Sequence, residues 1–111
     1  MITVARHPYV VSDAQRDGVV RFYVGRGKSA AVETCTLGNP FRGPNRERAI
    51  HYYRFWLEHS LQMDEKVQRV FELILNTTRK HDVVLICHCA PMACHADVIK
   101  EMIEERLTQN N

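Results

Sequence analysis

The residues best suited to chemistry lie in one short segment that runs from Cys87 to His95. The segment holds three of the four cysteines and two of the six histidines of the chain. A continuous apolar run at residues 83–86 precedes it and an amphipathic helical pattern follows it, so it should join a buried strand to a helix. Ligands of open α/β sheets bind beyond the carboxyl ends of the strands. We therefore predict that the working site lies here.

Cys94 and His95 fall where the following helix should begin. The free backbone N–H groups and the dipole of a helix favour negative charge at that end. Such a position binds anions such as phosphate and lowers the pKa of a thiol. Cys94 and His95 are therefore the candidate catalytic residues, with Cys94 as a thiolate nucleophile. Cys89 is a candidate ligand contact.

The same segment contains the residue types of a zinc site. The ligands would be Cys87, Cys89, Cys94 and His95. Structural zinc usually takes two separated ligand pairs from two elements, unlike the ligands of this one segment. Three ligands from this segment with His7 or His51 as the fourth are the alternative set. A purely structural interpretation also stands, with small buried thiols and a histidine that caps the helix. The cofactor is therefore left open, with zinc as the named possibility.

A second group of candidates follows the second predicted strand. Gly25 and Gly27 allow the backbone to approach a ligand closely. Arg26 presents a planar fork for phosphate or carboxylate, and Lys28 adds a second cation. A phosphate-binding P-loop is excluded, because that pattern requires a glycine where Phe22 stands.

A third group lies in the turn-like stretch at residues 37–44. Asn39 offers an amide, Phe41 a ring and Arg42 a guanidinium, which together would contact a base and a phosphate. Residues 26–48 hold five positive and two negative side chains, an excess larger than the net charge of +2. A tight surface turn with a buried Phe41 and solvated cations is the alternative.

Apolar periodicity predicts the elements that position these groups. Alternating or β-branched residues indicate strands at residues 2–6 and 19–25, and Asp82 should open a third strand. Asn45 is expected to cap a helix that ends near Ser60, and Asp64 to cap the next helix. The predicted apolar stripes of the three helices are Ala49, Tyr52, Tyr53, Trp56 and Leu57, then Val67, Val70, Phe71, Ile74 and Leu75, then Val98, Ile99, Met102, Ile103 and Leu107.

The order strand, strand, helix, helix, strand, helix predicts the α/β class. We expect a single domain over residues 1–111, with a Rossmann-like three-layer arrangement and a mixed sheet flanked by helices. The first two strands are expected to form a hairpin, because the stretch between them ends in Asp17-Gly18. The third strand should be central, since it is apolar on both faces.

Composition and net charge restrict the class of protein and the kinds of partner that the chain can bind. With 45% apolar and 25% charged residues, the 111-residue chain is an ordinary globular sequence. It contains no apolar run long enough to span a membrane and no signal-peptide pattern, so a cytoplasmic protein is expected. A net charge of +2 is too small for a dedicated nucleic-acid binder. A homo-oligomer is left open.

Three segments in fixed order carry a family resemblance. They are Tyr23-Val24-Gly25-Arg26-Gly27, Leu37-Gly38-Asn39-Pro40-Phe41 and Cys87-x-Cys89-x-Pro91-x-x-Cys94-His95-Ala96-Asp97-Val98. With these segments the chain resembles a small bacterial and phage family, domain of unknown function 4326. The resemblance implies a single-domain α/β protein with a layout similar to Rossmann-like nucleotide-binding and nucleotide-processing proteins. It implies no particular reaction.

The leading hypothesis is a site for a small anionic ligand, a nucleotide or a phosphorylated nucleoside. In an enzyme, such a site would hydrolyse or transfer at a glycosidic or phosphoester bond. The first alternative is a phage protein without catalytic activity that sequesters a ligand or binds a host protein. The second is a zinc-stabilised interaction domain.

Overall fold

Three strands and three helices make up the described part of the chain. The structure is a computed structural model and describes residues 2–6, 19–24, 37–40, 45–87 and 95–109. Its elements are β1 (Ile2–Arg6), β2 (Val19–Tyr23), α1 (Arg46–Met63), α2 (Glu65–Thr78), β3 (Asp82–Cys87) and α3 (His95–Gln109). The α/β class and the predicted order of elements are confirmed.

The sheet has β3 in its centre, with β1 on one side and β2 on the other. Both neighbours run parallel to β3, and Ile2 and Val20 align with the two sides of Val83. The predicted hairpin between the first two strands is therefore wrong, and so is the mixed sheet as far as these three strands are concerned. Asp17-Gly18 favours a turn only locally. Burial of the apolar run of β3 requires a partner strand on each side, and this requirement outweighs the local turn preference.

The core lies against one face of this sheet. Val83, Leu85 and Cys87 point to that face, and each is at most 1% exposed. They belong to one apolar cluster to which all three helices contribute, including Tyr53 and Leu57 of α1. None of the described helices is long and apolar enough to cross a membrane.

The helix predictions are confirmed in detail for α2 and in part for α1. All five residues of the α2 stripe are buried. Asn45 caps α1 by accepting a hydrogen bond from the Arg48 N–H at 3.0 Å. Tyr53 and Leu57 are buried as expected, but Tyr52 is 46% exposed, so its assignment to the core is wrong. It lies one residue from Tyr53, about 100° around the helix, which turns it out of the stripe.

The junction between α1 and α2 depends on Asp64. Its Oδ1 accepts hydrogen bonds from the backbone N–H groups of Lys66 at 2.9 Å and Val67 at 3.4 Å. We expect Asp64→Ala to lower the free energy of unfolding by about 1 kcal/mol, because these N–H groups lose their acceptor. Urea unfolding measures the loss, with Glu72→Ala, an exposed carboxylate in the middle of α2, as control. Equal midpoints for the two variants would contradict the capping role.

Candidate functional site

The cysteine-rich segment joins the elements that its sequence predicted. Cys87 is the last residue of the central strand, and His95 is the first residue of α3. Cys94 therefore directly precedes the first residue of the helix, as expected. Cys89 and Cys94 themselves lie outside the described residues, so their roles stay predictions.

His95 is buried and forms a hydrogen bond with Val24, the residue that follows β2. The side chain is 7% exposed, and its Nε2 lies 2.5 Å from the carbonyl oxygen of Val24. A carbonyl oxygen only accepts, so Nε2 carries the hydrogen in this contact. In the neutral ring the hydrogen is then on Nε2, and Nδ1 is the unprotonated nitrogen.

Tyr53 connects His95 to a different part of the chain. Its ring packs edge-on against the His95 ring, with centroids 5.1 Å apart and an interplanar angle of 69°. Its hydroxyl donates a hydrogen bond of 2.6 Å to the carbonyl oxygen of Leu37. The residue is fully buried. The helical spacing predicted Tyr53 only as a core residue. A tyrosine at a buried helix position needs a partner for its hydroxyl, and this requirement is the sequence feature that indicates a role beyond packing.

Val24 extends the edge strand β2 and directly precedes the glycine and arginine group in the sequence. Its N–H donates to the Ile86 carbonyl oxygen at 3.0 Å, which continues the pairing of β2 with β3 by one residue. Because the two strands are parallel, their carboxyl ends meet at the same edge. Gly25, which follows Val24 in the sequence, is the first of the predicted ligand residues. Those residues, Gly25, Arg26, Gly27 and Lys28, lie outside the described part of the chain.

Two hydrogen bonds attach residues 37–40 to α1. One is the bond from Tyr53 to Leu37, and the other runs from Asn39 Nδ2 to the Ala49 carbonyl oxygen at 3.5 Å. Leu37 is fully buried and Asn39 is 7% exposed. The structure thus gives Asn39 a positioning contact, and its role toward a ligand stays a prediction. Phe41 and Arg42 lie outside the described residues.

Helices α1 and α3 are connected by an ion pair as well as by the ring contact between Tyr53 and His95. Arg54 of α1 forms an ion pair with Glu101 of α3. Tyr53 and His95 make a buried contact between the same two helices. One electrostatic feature opposes an anion here, because Asp97 places an exposed carboxylate in the first turn of α3. An anionic ligand would therefore need the arginine and lysine side chains in addition to the helix start.

The zinc interpretation rests on residues of which only two are described. Cys87 is fully buried at the end of β3, and His95 opens α3. His51, a suggested fourth ligand, is exposed on α1. Within the ranges that the structure covers, no group of three potential metal ligands occurs. The zinc set stays a prediction, since Cys89 and Cys94 fall outside those ranges.

Described residues from each of the three segments of the family resemblance therefore meet around one pair of side chains. His95 belongs to the third segment and bonds to Val24 of the first, while Tyr53 packs on His95 and bonds to Leu37 of the second. Comparison with curated proteins and with solved structures gave no significant match. The profile of the family described as "Domain of unknown function (DUF4326)" matches residues 8–105. The chain belongs to this family of domains of unknown function, DUF4326.

Proposed function

We propose that the protein binds a nucleotide or a phosphorylated nucleoside at the carboxyl edge of its parallel sheet. The observation that carries the proposal is the meeting of the three segments around His95 and Tyr53. Each segment contributes residues suited to a different part of such a ligand. Ligands of parallel α/β sheets bind at this edge, beyond the ends of the strands.

The phosphate would be held by cations and backbone. Arg26, Lys28 and Arg42 supply the positive charge, and Gly25 and Gly27 permit close approach of the main chain. The N–H groups at the start of α3 add donors of fixed direction. Together they outweigh the single carboxylate of the first turn of α3.

The base and the reacting centre would involve the other two segments. Phe41 offers a ring for stacking and Asn39 an amide for the base edge, next to the buried Leu37. Cys89, Cys94 and His95 would also contact the ligand, with Cys94 as nucleophile if the ligand is transformed. The Nε2 of His95 is engaged by a backbone carbonyl, which suits positioning, so binding is the primary function proposed and catalysis rests on Cys94.

The Rossmann-like three-layer arrangement is part of the same proposal. Its support is the burial of β3 on both faces: Val84 and Ile86, which point away from the core cluster, are 7% and 6% exposed. A strand covered on both faces is typical of parallel α/β sheets with layers on either side.

Native mass spectrometry followed by calorimetric titration tests the proposal. Adenosine monophosphate, ribose 5-phosphate, adenosine and inorganic phosphate serve as probes, so that phosphate and nucleoside contributions are separated. We expect adenosine monophosphate to bind more tightly than adenosine or phosphate alone. Absence of heat and of carried-over nucleotide, for adenine, guanine and pyrimidine monophosphates alike, would reject nucleotide binding.

Arg26→Ala is expected to weaken nucleotide binding about tenfold, because one charge-assisted hydrogen bond to phosphate is lost. The dissociation constants of the variant and the parent protein measure the effect. Arg79→Ala removes an exposed guanidinium at the end of α2 and is the matched control. An affinity that falls equally in both variants would mean that only overall charge matters.

Recovery of the bound ligand separates catalysis from sequestration. After incubation and heat release, unchanged adenosine monophosphate indicates a binding protein without catalytic activity. Free adenine or free phosphate indicates hydrolysis at the glycosidic or phosphoester bond. The thiol of Cys94 is then required, and Cys94→Ser should retain binding while turnover is lost.

A further inference from the structure

The side of α1 that faces away from the core carries a group of exposed side chains. These residues, which we call the outer face of α1, are Arg48, His51, Tyr52, Phe55, Glu58 and His59. Phe55 is 59% and Tyr52 46% exposed. Burial of Tyr53, Leu57 and Ser60 on the other side fixes the orientation of the helix. Exposed rings of this size in a row are unusual on a surface that stays in water.

The rings on this face are already in contact with one another. His51 packs edge-on against Phe55, with centroids 5.0 Å apart, and lies 6.1 Å from the Tyr52 ring. The contacts hold the aromatic side chains in one patch, which lowers the entropy lost when a partner covers them.

The charges on the outer face identify the kind of partner. Arg48 lies before the rings and Glu58 after them, so the face has no net charge when its histidines are neutral. A neutral face does not suit phosphate-rich partners such as nucleic acid. A positive end and a negative end on the same helix suit a second copy of that helix in antiparallel orientation.

The spacing of these residues is self-complementary. His51 lies three positions after Arg48, and Glu58 lies three positions after Phe55. When two copies of α1 lie antiparallel with Arg48 opposite the partner's Glu58, His51 comes opposite the partner's Phe55, and Tyr52 lies near the two-fold axis. The same residues then serve both copies, as a two-fold interface requires. Parallel copies would place like charges together.

We propose that the outer face of α1 is a homodimer interface, with α1 packed antiparallel against α1 of a second copy of this chain. The proposal is independent of ligand binding, since it uses the side of α1 opposite to Tyr53. One helix face lies at the small end of interface sizes, below about 1,200 Å² in total, so the dimer forms reversibly with concentration.

Sedimentation velocity over a concentration series tests the proposal on the full chain. The parent protein should pass from 12.9 kDa to twice that mass as concentration rises. Arg48→Glu and Glu58→Arg should each stay monomeric, because each variant brings like charges together twice in the dimer. An equimolar mixture of the two variants should recover the doubled mass, since the heterodimer has opposite charges at both contacts.

The controls keep a folding defect distinct from a lost interface. All substituted residues are exposed, and circular dichroism melts should match those of the parent protein. Phe55→Ala should be monomeric, whereas Leu73→Ala, which removes a 47% exposed side chain from α2, should dimerise normally. A parent protein that is monomeric throughout, single charge variants that dimerise like the parent, or a mixture that stays monomeric would each overturn the proposal.

Discussion

His95→Ala should lower the free energy of unfolding by about 2–4 kcal/mol and abolish ligand binding. The loss has two sources in the structure. The carbonyl oxygen of Val24 loses the donor that lies 2.5 Å away, and the ring of Tyr53 loses its edge-on partner. Denaturant unfolding measures the first effect and titration with adenosine monophosphate the second.

The size of this effect matters because a domain of this length has only about 5–15 kcal/mol of net stability. His95→Gln is the informative companion, since the glutamine Nε2 can replace the donor to Val24 but offers no basic nitrogen. It should recover part of the stability of His95→Ala. Glu104→Ala, an exposed position on the same helix, is the control. If His95→Ala and Glu104→Ala unfold at the same denaturant concentration, His95 does not hold the site together.

Tyr53→Ala is expected to cost about 3–5 kcal/mol, the largest loss that we predict for this chain. The fully buried ring packs against the rings of His95 and Trp56, with a centroid distance of 5.4 Å to Trp56. Its removal leaves a cavity between α1 and α3. It also detaches residues 37–40 from α1 at one of their two points of attachment.

Tyr53→Phe separates the hydroxyl from the ring. It keeps the packing but leaves the Leu37 carbonyl without this donor, at a cost of about 1–3 kcal/mol. Thr108→Val removes an exposed hydroxyl that bonds within α3, so it should change stability by less than about 0.5 kcal/mol. Equal effects of Tyr53→Phe and Thr108→Val would contradict the structural role of the Tyr53 hydroxyl.

A double-mutant cycle with Tyr53→Phe and His95→Ala tests whether the two residues act together. Residues in contact show interaction energies of about 0.5–3 kcal/mol, whereas independent sites add. We expect non-additivity, because the Tyr53 ring touches His95 while its hydroxyl holds Leu37. Strict additivity would mean that the two attachments stabilise separate parts of the protein.

Local patterns predicted much of the candidate site's framework. The continuous apolar run at residues 83–86 and the helical stripe after it place Cys87 at a strand end and His95 at a helix start, which the structure confirms. Asp64 and Asn45 are caps in the structure as in the sequence. These features depend on residues a few positions apart, whose periodicity and capping chemistry do not require knowledge of the rest of the chain.

The exposed and buried aromatic residues of α1 show where such patterns fail. Tyr52, Tyr53 and Phe55 are all aromatic, yet Tyr53 alone among the three is buried in the core. Which of them is buried depends on how α1 is rotated against α2 and α3. That rotation is set by the fit of side chains from three helices, which no single stretch of sequence contains.

Local sequence patterns predict the described strands and helices, their order, and the position of the cysteine-rich segment between a strand and a helix. The parallel pairing of β1 and β2 with β3, and the contacts that join Val24, Leu37, Tyr53 and His95, are visible in the tertiary structure alone. Elements form from interactions between near neighbours along the chain, whereas strand partners and the contacts of buried polar groups are chosen among residues far apart in sequence. Their selection depends on the burial of the whole core at once.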